Sequence, residues 1–400
     1  MHWPVALVLT VALAAQTESL AEIVTKAQAA QRAGRHGEAV VAWQQALARQ
    51  PGDVRLERAL AGSLTHLGAA AFSKRDTELA ARYFQQADKL WPQQPPILEC
   101  LAKIRFQQGR RDEARRYLDQ LLALEPEHAT GLALSGVIAA ADDDRERASR
   151  LVRRAADQAP GRRDFAAVAQ RLEREARIER DFVTTEVGVF RIQYAAGHEE
   201  AQSALPCVEE TLRTAYAELE RDLGQVPAPP VGVVLYTQAQ YAAINVHAPH
   251  AAAVFDGKLR IAITGWRARK TELGHNLRHE LAHAFLHGLH SDVPVWVHEG
   301  YAQLFEGCDP AAARARLRAH QSPLAPEIMA GPFVTSADAD LVRRGYDQAL
   351  VAVALLRQDR RKFAEVLQVY GRGSGSDAAL IEVFGYGEAA LFARLSAPPR

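Results

Sequence analysis

The stretch Gly109-Arg110-Arg111-Asp112-Glu113-Ala114-Arg115-Arg116-Tyr117-Leu118-Asp119-Gln120-Leu121-Leu122-Ala123-Leu124-Glu125-Pro126 reads as one helix between two breakers. Glycine supplies a turn that a side chain resists, helix formers follow, and a proline cannot continue the helix. The punctuation recurs: prolines stand at 51, 92, 126 and 160, at intervals of 41, 34 and 34 residues. Twelve residues before each proline sit Ala39, Ala80, Ala114 and Ala148, and five before sit Ala46, Ala87, Leu121 and Ala155. A small side chain at a fixed phase of a recurring helix marks where a second helix must come close.

A period of about 34 residues is the spacing of tetratricopeptide (TPR) helix pairs, and residues 20–160 resemble that family. Gly34 and Gly109 fill the turn between the two helices in repeats one and three, and Leu67-Gly68 match the repeat's Leu-Gly step. Arg75 and Asp143 stand at the turn in repeats two and four, and the longer first interval implies an insertion near Ala69 to Phe72. The run Asp164 to Arg180, with Val168, Leu172 and Ile178, continues as a capping helix, since a solenoid end needs a polar outer face. The resemblance implies an all-α solenoid over residues 20–178 whose concave face takes a peptide or protein partner. A scaffold that supports its neighbour and binds nothing is the other reading.

Composition bounds the rest. With 400 residues, 48 % of them apolar, the chain can bury more than one core, which excludes a disordered or fibrous protein. The 48 basic residues balance 48 acidic ones, so no net field draws nucleic acid or an anionic membrane. Cys100, Cys207 and Cys308 lie far apart without a CxxC, which excludes a cysteine zinc finger or a disulfide framework. The apolar run Val5 to Ala15, broken by Thr10 and carrying Ala12-Leu13-Ala14, has the length and small-residue site of a signal peptide over residues 1–14. That reading expects a periplasmic or secreted protein. The lack of Lys or Arg before the run keeps a cytosolic start as its alternative. No later segment is apolar enough over about 18 residues to span a bilayer, so no membrane contact is expected after signal removal.

From Phe182 the pattern changes. Val183, Val187, Val189, Phe190 and Ile192 read as strand, Glu199 to Leu223 as helix, and Val231 to Tyr236 as strand. Ala252 to Phe255 and Leu259 to Ile263 flank Asp256-Gly257, a hairpin signal. Residues 180–397 are therefore expected to form an α+β domain with a helical C-terminal part.

Within the next helical run, Arg267 to Leu289, stands His279-Glu280-Leu281-Ala282-His283, an HExxH. Positions i and i+4 share one helix face about 6 Å apart, so both imidazoles can ligate one zinc ion with Glu280 beside it. Sixteen residues past His283 comes Glu299, in Pro294-Val295-Trp296-Val297-His298-Glu299-Gly300. A helix running to Gly288 and a return helix starting at Pro294, capped by Asp292, place Glu299 level with His283. Each stands about 7.5 Å from the turn at the rise of an α-helix. Gly300 would let those two helices approach beside the metal.

These residues resemble the gluzincin metallopeptidases, and more narrowly the bacterial peptidase MA-like domains that carry HELAH and a later W-x-x-E-G. The resemblance covers residues 180–397, including Tyr346-x-x-Ala349, Tyr370-Gly371 and Phe384-Gly385. It implies one zinc ion held by His279, His283 and Glu299, Glu280 as general base, and hydrolysis of peptide bonds. It implies Tyr346 as donor to the oxyanion, with His298 second and a merely packed tyrosine as the alternative. The metzincin ligand set fails, because Leu286 and Leu289 occupy its Gly and His positions. His275 and His287 extend the histidine stripe and are read as rim, His298 as pocket wall. Gluzincin-like chains often place an acid four residues after the ligand Glu to hold an imidazole. Gln303 stands there, and its amide oxygen could accept that N–H without charge. Leu259 to Ile263 would be the edge strand that receives an extended peptide. Ala251 to Ile263 has no Glu for a substrate amine, so internal cleavage is expected. The reading overall is an exported zinc endopeptidase whose TPR array engages substrate or partner. The alternative is a TPR adaptor with an inactive peptidase-like domain.

Overall fold

A computed structural model describes residues 18–74, 76–108, 110–224, 226–227, 229–244, 253–289, 293–320, 322–372 and 374–395. The signal-peptide segment, Arg75, Gly109 and Asp292 lie outside them. The chain divides into two compact units, Met1–Leu101 and Ala102–Arg400.

The first unit holds α1 (Leu20–Arg32), α2 (His36–Arg49), α3 (Val54–Ser73), α4 (Thr77–Leu90) and the start of α5 (Pro95–Gln107). Ser19 and Glu22 close a capping box on α1, and Asp53 and Asp76 cap α3 and α4. Consecutive helices pack as α1 on α2, α2 on α3 and α3 on α4. Ala39, Ala46, Ala80 and Ala87 have no exposed surface, as their phase required. The insertion is not a loop. α3 has 20 residues where α1 has 13, so the longer first interval is about two extra helical turns. Gly68 sits there because a Cβ would meet the Phe84 ring at 3.0 Å.

The second unit opens with the rest of α5 and with α6 (Arg111–Leu124), α7 (Ala129–Ala141), α8 (Arg145–Gln158) and α9 (Arg163–Ile178). Ala114, Leu121, Ala148 and Ala155 are again fully buried. Asp143 takes the left-handed turn before α8 at φ 66°, a conformation that Asp tolerates better than most residues. The helices then give way to β1 (Phe182–Val187), β2 (Phe190–Ala195), α10 (Glu199–Leu223), β3 (Val231–Tyr236), α11 (Gln238–Ile244), β4 (Ala253–Phe255) and β5 (Leu259–Ala262). After these come α12 (Lys270–Leu289), α13 (Val295–Glu306), α14 (Pro310–Leu317), α15 (Pro326–Met329), a 3-10 turn (Pro332–Thr335), α16 (Ala339–Leu356), α17 (Arg360–Gly371), α18 (Ser376–Phe384) and α19 (Glu388–Ala393).

The five strands lie in the order β1-β2-β3-β5-β4. β2, β3 and β5 run parallel, and β1 and β4 are antiparallel edges. This corrects the expected peptide-binding edge: Leu259 to Ala262 is an interior strand, paired to β3 and β4, and the three-residue β4 is the edge. Side chains alternate across the sheet. Val233, Leu235 and Ile261 enter the main core with α10 and α12, while Val234, Tyr236 and Ala262 pack with Tyr241 and Ile244 of α11.

α9 was expected to end the solenoid with a polar outer face, and its polar residues divide: Arg163, Asp164, Gln170 and Arg177 stay exposed, while Glu175 and, just past the helix end, Glu179 meet the sheet. Arg260 on β5 donates to Glu175 at 3.0 Å, to Glu179 at 3.1 Å, to the Tyr236 hydroxyl at 2.6 Å and to Asp256 at 2.9 Å. Arg145 on α8 reaches the other oxygen of Glu179 at 2.8 Å and Gln193 of β2 at 2.9 Å, and Lys258 pairs with Asp143. Burial pushes the Glu175 carboxyl up against the pull of Arg260, so the pairing offsets a desolvation cost. Arg260→Met takes from buried Glu175 its closest cation and from Glu179 one of its donors, and should destabilise the second unit by about 3–5 kcal/mol in chemical denaturation of the full chain. A wild-type midpoint would contradict this account of the seam.

Candidate metal centre

α12 places its side chains in two neighbouring stripes. Leu273, Leu277, Leu281 and Phe285 recur every four residues and are buried in the core. His275, His279, His283 and His287 form the adjacent stripe. One helix face is thus anchored and the next is offered to α13. α13 begins one residue later than expected: Pro294 is the N-cap, with extended backbone at ψ 146°, and Val295 is the first helical residue. Trp296 is fully buried and donates its indole N–H to Glu388 at 2.8 Å, and Tyr301 donates to Asp222 at 2.6 Å. Gly300 corrects another expectation. A Cβ there would lie 2.2 Å from the carbonyl oxygen of Ala349, so this glycine admits α16, not α12.

The structure brings His279, His283 and Glu299 together, with one ligating atom from each within 4.8 Å of the others. The two Nε2 atoms are 3.1 Å apart. Glu299 carboxylate oxygens lie 3.6 Å from Nε2 of His279 and 3.8 Å from Nε2 of His283. Zinc bonds of about 2.0–2.1 Å at tetrahedral angles separate ligand atoms by about 3.3–3.4 Å, a spacing that the nitrogen pair and the carboxylate oxygen nearer each histidine approach, so the chemistry of the donor set fits such an ion. The three side chains are 13–17 % exposed, shielded yet within reach of solvent. Among the described residues, none of His275, His287 and His298 joins such a group. His298 packs on His283 at 5.6 Å between ring centroids, and His287 on Phe255 at 5.7 Å.

Glu280 is buried and lies close enough to feel the charges of His279, Glu299 and Glu306. Burial pushes its carboxyl up to about 7, with Glu299 and Glu306 adding to the rise, while His279 and the Phe255 backbone N–H pull it down. Tyr346 of α16 is half-buried, with its ring edge-on to Phe333 at 5.6 Å. Burial raises its phenol, and the carboxylates of Glu299, Glu280 and Glu306 raise it further. Burial disfavours charge on His279, but hydrogen bonds to Glu299 and Glu306 win and raise it to about 10. His283 is pushed down by burial and by its histidine neighbours.

Gln303 does not do what its position suggested. Its amide donates to the carbonyls of Glu299 at 3.2 Å and Tyr346 at 3.0 Å. The carboxylate beside the His279 ring is Glu306, 3.2 Å from Nδ1. Sequence reading missed it, although seven residues after Glu299 is about two helical turns, on the same face. The three cysteines form no disulfide among the described residues.

The tetratricopeptide repeat family matches residues 71–138, so the chain carries TPR repeats there. A solved structure of a candidate protein-binding protein from Bacteroides ovatus ATCC 8483 aligns with 18 % identity over 40 % of this chain and 99 % of its own, at a TM-score of 0.27. No curated protein matches the chain.

Hydrogen bonds to Glu299 and Glu306 favour the charged form of His279, while burial disfavours it on His283, so a metal ion taken up here would compete with a proton at His279. Uptake of zinc at this site should therefore weaken as pH falls from 8 to 6. Zinc titration of the full chain in the two buffers tests this, and equal affinities would contradict it.

Proposed function

We propose that this chain is a zinc-dependent metallopeptidase that cleaves within extended segments of peptide or protein, with its TPR helices engaging the substrate or a partner. The observation that supports it is the convergence of two imidazole nitrogens and a carboxylate beside a buried second carboxylate. A zinc ion, when bound, would polarise the scissile carbonyl and make water at the site more acidic. Glu280, raised to about 7 by burial, takes the water proton and delivers it to the leaving amine. Tyr346 keeps its proton at neutral pH and is the first candidate to donate a hydrogen bond to the oxyanion, with His298 second.

β4 is the strand to which a substrate would add, because it is the sheet edge that packs on α12, the helix that bears Glu280. Asp256, in the β4–β5 turn, is engaged by Arg260 at 2.9 Å and Arg171 at 3.2 Å. That acid is therefore already paired and is a poor anchor for a substrate amine, which supports internal cleavage. Export rests on Val5 to Ala15 and belongs to the same proposal.

The TPR match favours a second reading, an adaptor that binds a protein partner and does not turn it over. Two variants separate the readings. Glu280→Gln keeps shape and removes the base, so hydrolysis should fall at least about 100-fold with zinc retained. Glu299→Ala leaves two imidazoles and should lose zinc first. Zinc content and peptide cleavage are measured on one preparation beside wild type. Wild-type hydrolysis by Glu280→Gln, or full zinc occupancy in Glu299→Ala, would contradict the assigned roles. Zinc binding without cleavage across a broad peptide library would leave the adaptor.

A further inference from the structure

We infer that Glu306 is the positioning residue that fixes His279 for the metal, in place of a carboxylate at Gln303. The inference rests on the zinc reading above and deepens it. A neutral imidazole carries one N–H, and the nitrogen that keeps it cannot ligate. In His279, Nδ1 faces Glu306 Oε2 at 3.2 Å, while Nε2 faces His283 Nε2 at 3.1 Å and Glu299 at 3.6 Å. A carboxylate only accepts, so it selects the tautomer with the proton on Nδ1 and leaves the Nε2 lone pair directed at the site. Its negative charge also makes the ring a stronger ligand.

Glu306 is itself held. It is the last residue of α13, where Gly307 turns the chain at φ 105°. Arg278 of α12 donates to the adjacent Phe305 carbonyl at 3.2 Å, tying this helix end to the helix that bears His279. The Cys308 thiol donates to the second Glu306 oxygen at 3.1 Å. Gln303 is engaged elsewhere: its amide nitrogen donates to two backbone carbonyls, and among the described residues no hydrogen bond joins its amide oxygen to an imidazole of the site.

The test measures zinc affinity of the full-length chain by competition with a chromophoric chelator, for wild type, Glu306→Gln and Glu306→Ala. Thermal melting of the metal-free proteins and the visible spectrum of cobalt-loaded ones are recorded alongside. Glu306→Ala should bind zinc about 10- to 100-fold more weakly, and Glu306→Gln, which keeps an acceptor without charge, should fall between it and wild type. The cobalt bands should shift while metal-free melting stays near wild type. Unchanged zinc affinity in both variants would overturn the inference, and so would weakened affinity that merely tracks a lower metal-free melting temperature. Wild type that takes up no zinc overturns this inference and its parent reading together. Zinc uptake without hydrolysis sinks the peptidase reading alone and leaves Glu306 in its role.

Discussion

Two imidazole nitrogens 3.1 Å apart, both largely shielded from water and beside a carboxylate, impose the main constraint on the second unit. With both rings protonated on Nδ1 alone, their Nε2 lone pairs would face each other, so that arrangement calls for a shared proton or a cation. Glu299 joins the two histidines of α12 only if α13 is held in register with that helix. The leucine stripe of α12 is sunk in the core against the sheet, and α13 is fixed by the Trp296–Glu388 and Tyr301–Asp222 hydrogen bonds. Arg357 secures Asp222 through both its oxygens, and Gly300 lets α16 pack tightly behind. The helical C-terminal part of the chain thus acts as the mould for one pair of helices.

The same unit shows how helical repeats and a sheet can become one folding body. The residues of α8 and α9 that would face solvent in a free-standing repeat end are Arg145, Glu175 and Glu179. Here they are satisfied by Arg260, Gln193 and Tyr236. A seam of this kind is geometrically demanding, because each carboxylate must find a donor to offset its lost hydration. Its benefit is orientation. Asp256, at the turn beside the edge strand, is gripped by Arg260 from its own sheet and by Arg171 from α9, so the last repeat helix fixes the strand that borders Glu280.

Local rules made much of this legible. The phase of Ala39, Ala80, Ala114 and Ala148 predicted full burial because close helix packing admits only small side chains there. His279, His283 and Glu299 could be brought together on paper from helix rise and one proline, even though Pro294 is the cap and not the first turn. What escaped depended on partners distant in sequence. β5 was placed at the edge by resemblance, but strand order is set by pairing between segments, and the three-residue β4 lies outside it. Gly300 answers to Ala349 and not to the neighbouring helix. Glu175 looked like a solvated charge until Arg260, 85 residues later, supplied its partner. Glu306 escaped for a subtler reason: spacing nominates Gln303 and Glu306 equally, and only the capture of the Gln303 amide by two carbonyls decides between them.

We propose that this helix pair holds one zinc ion through two histidines and one glutamate. The most direct test is the zinc X-ray absorption spectrum of the full-length chain loaded with one equivalent of metal. The account predicts a four-coordinate shell of nitrogen and oxygen at about 2.0–2.1 Å with the outer-shell scattering of two imidazoles. A sulfur shell at about 2.3 Å, or a six-oxygen shell without imidazole scattering, would contradict it.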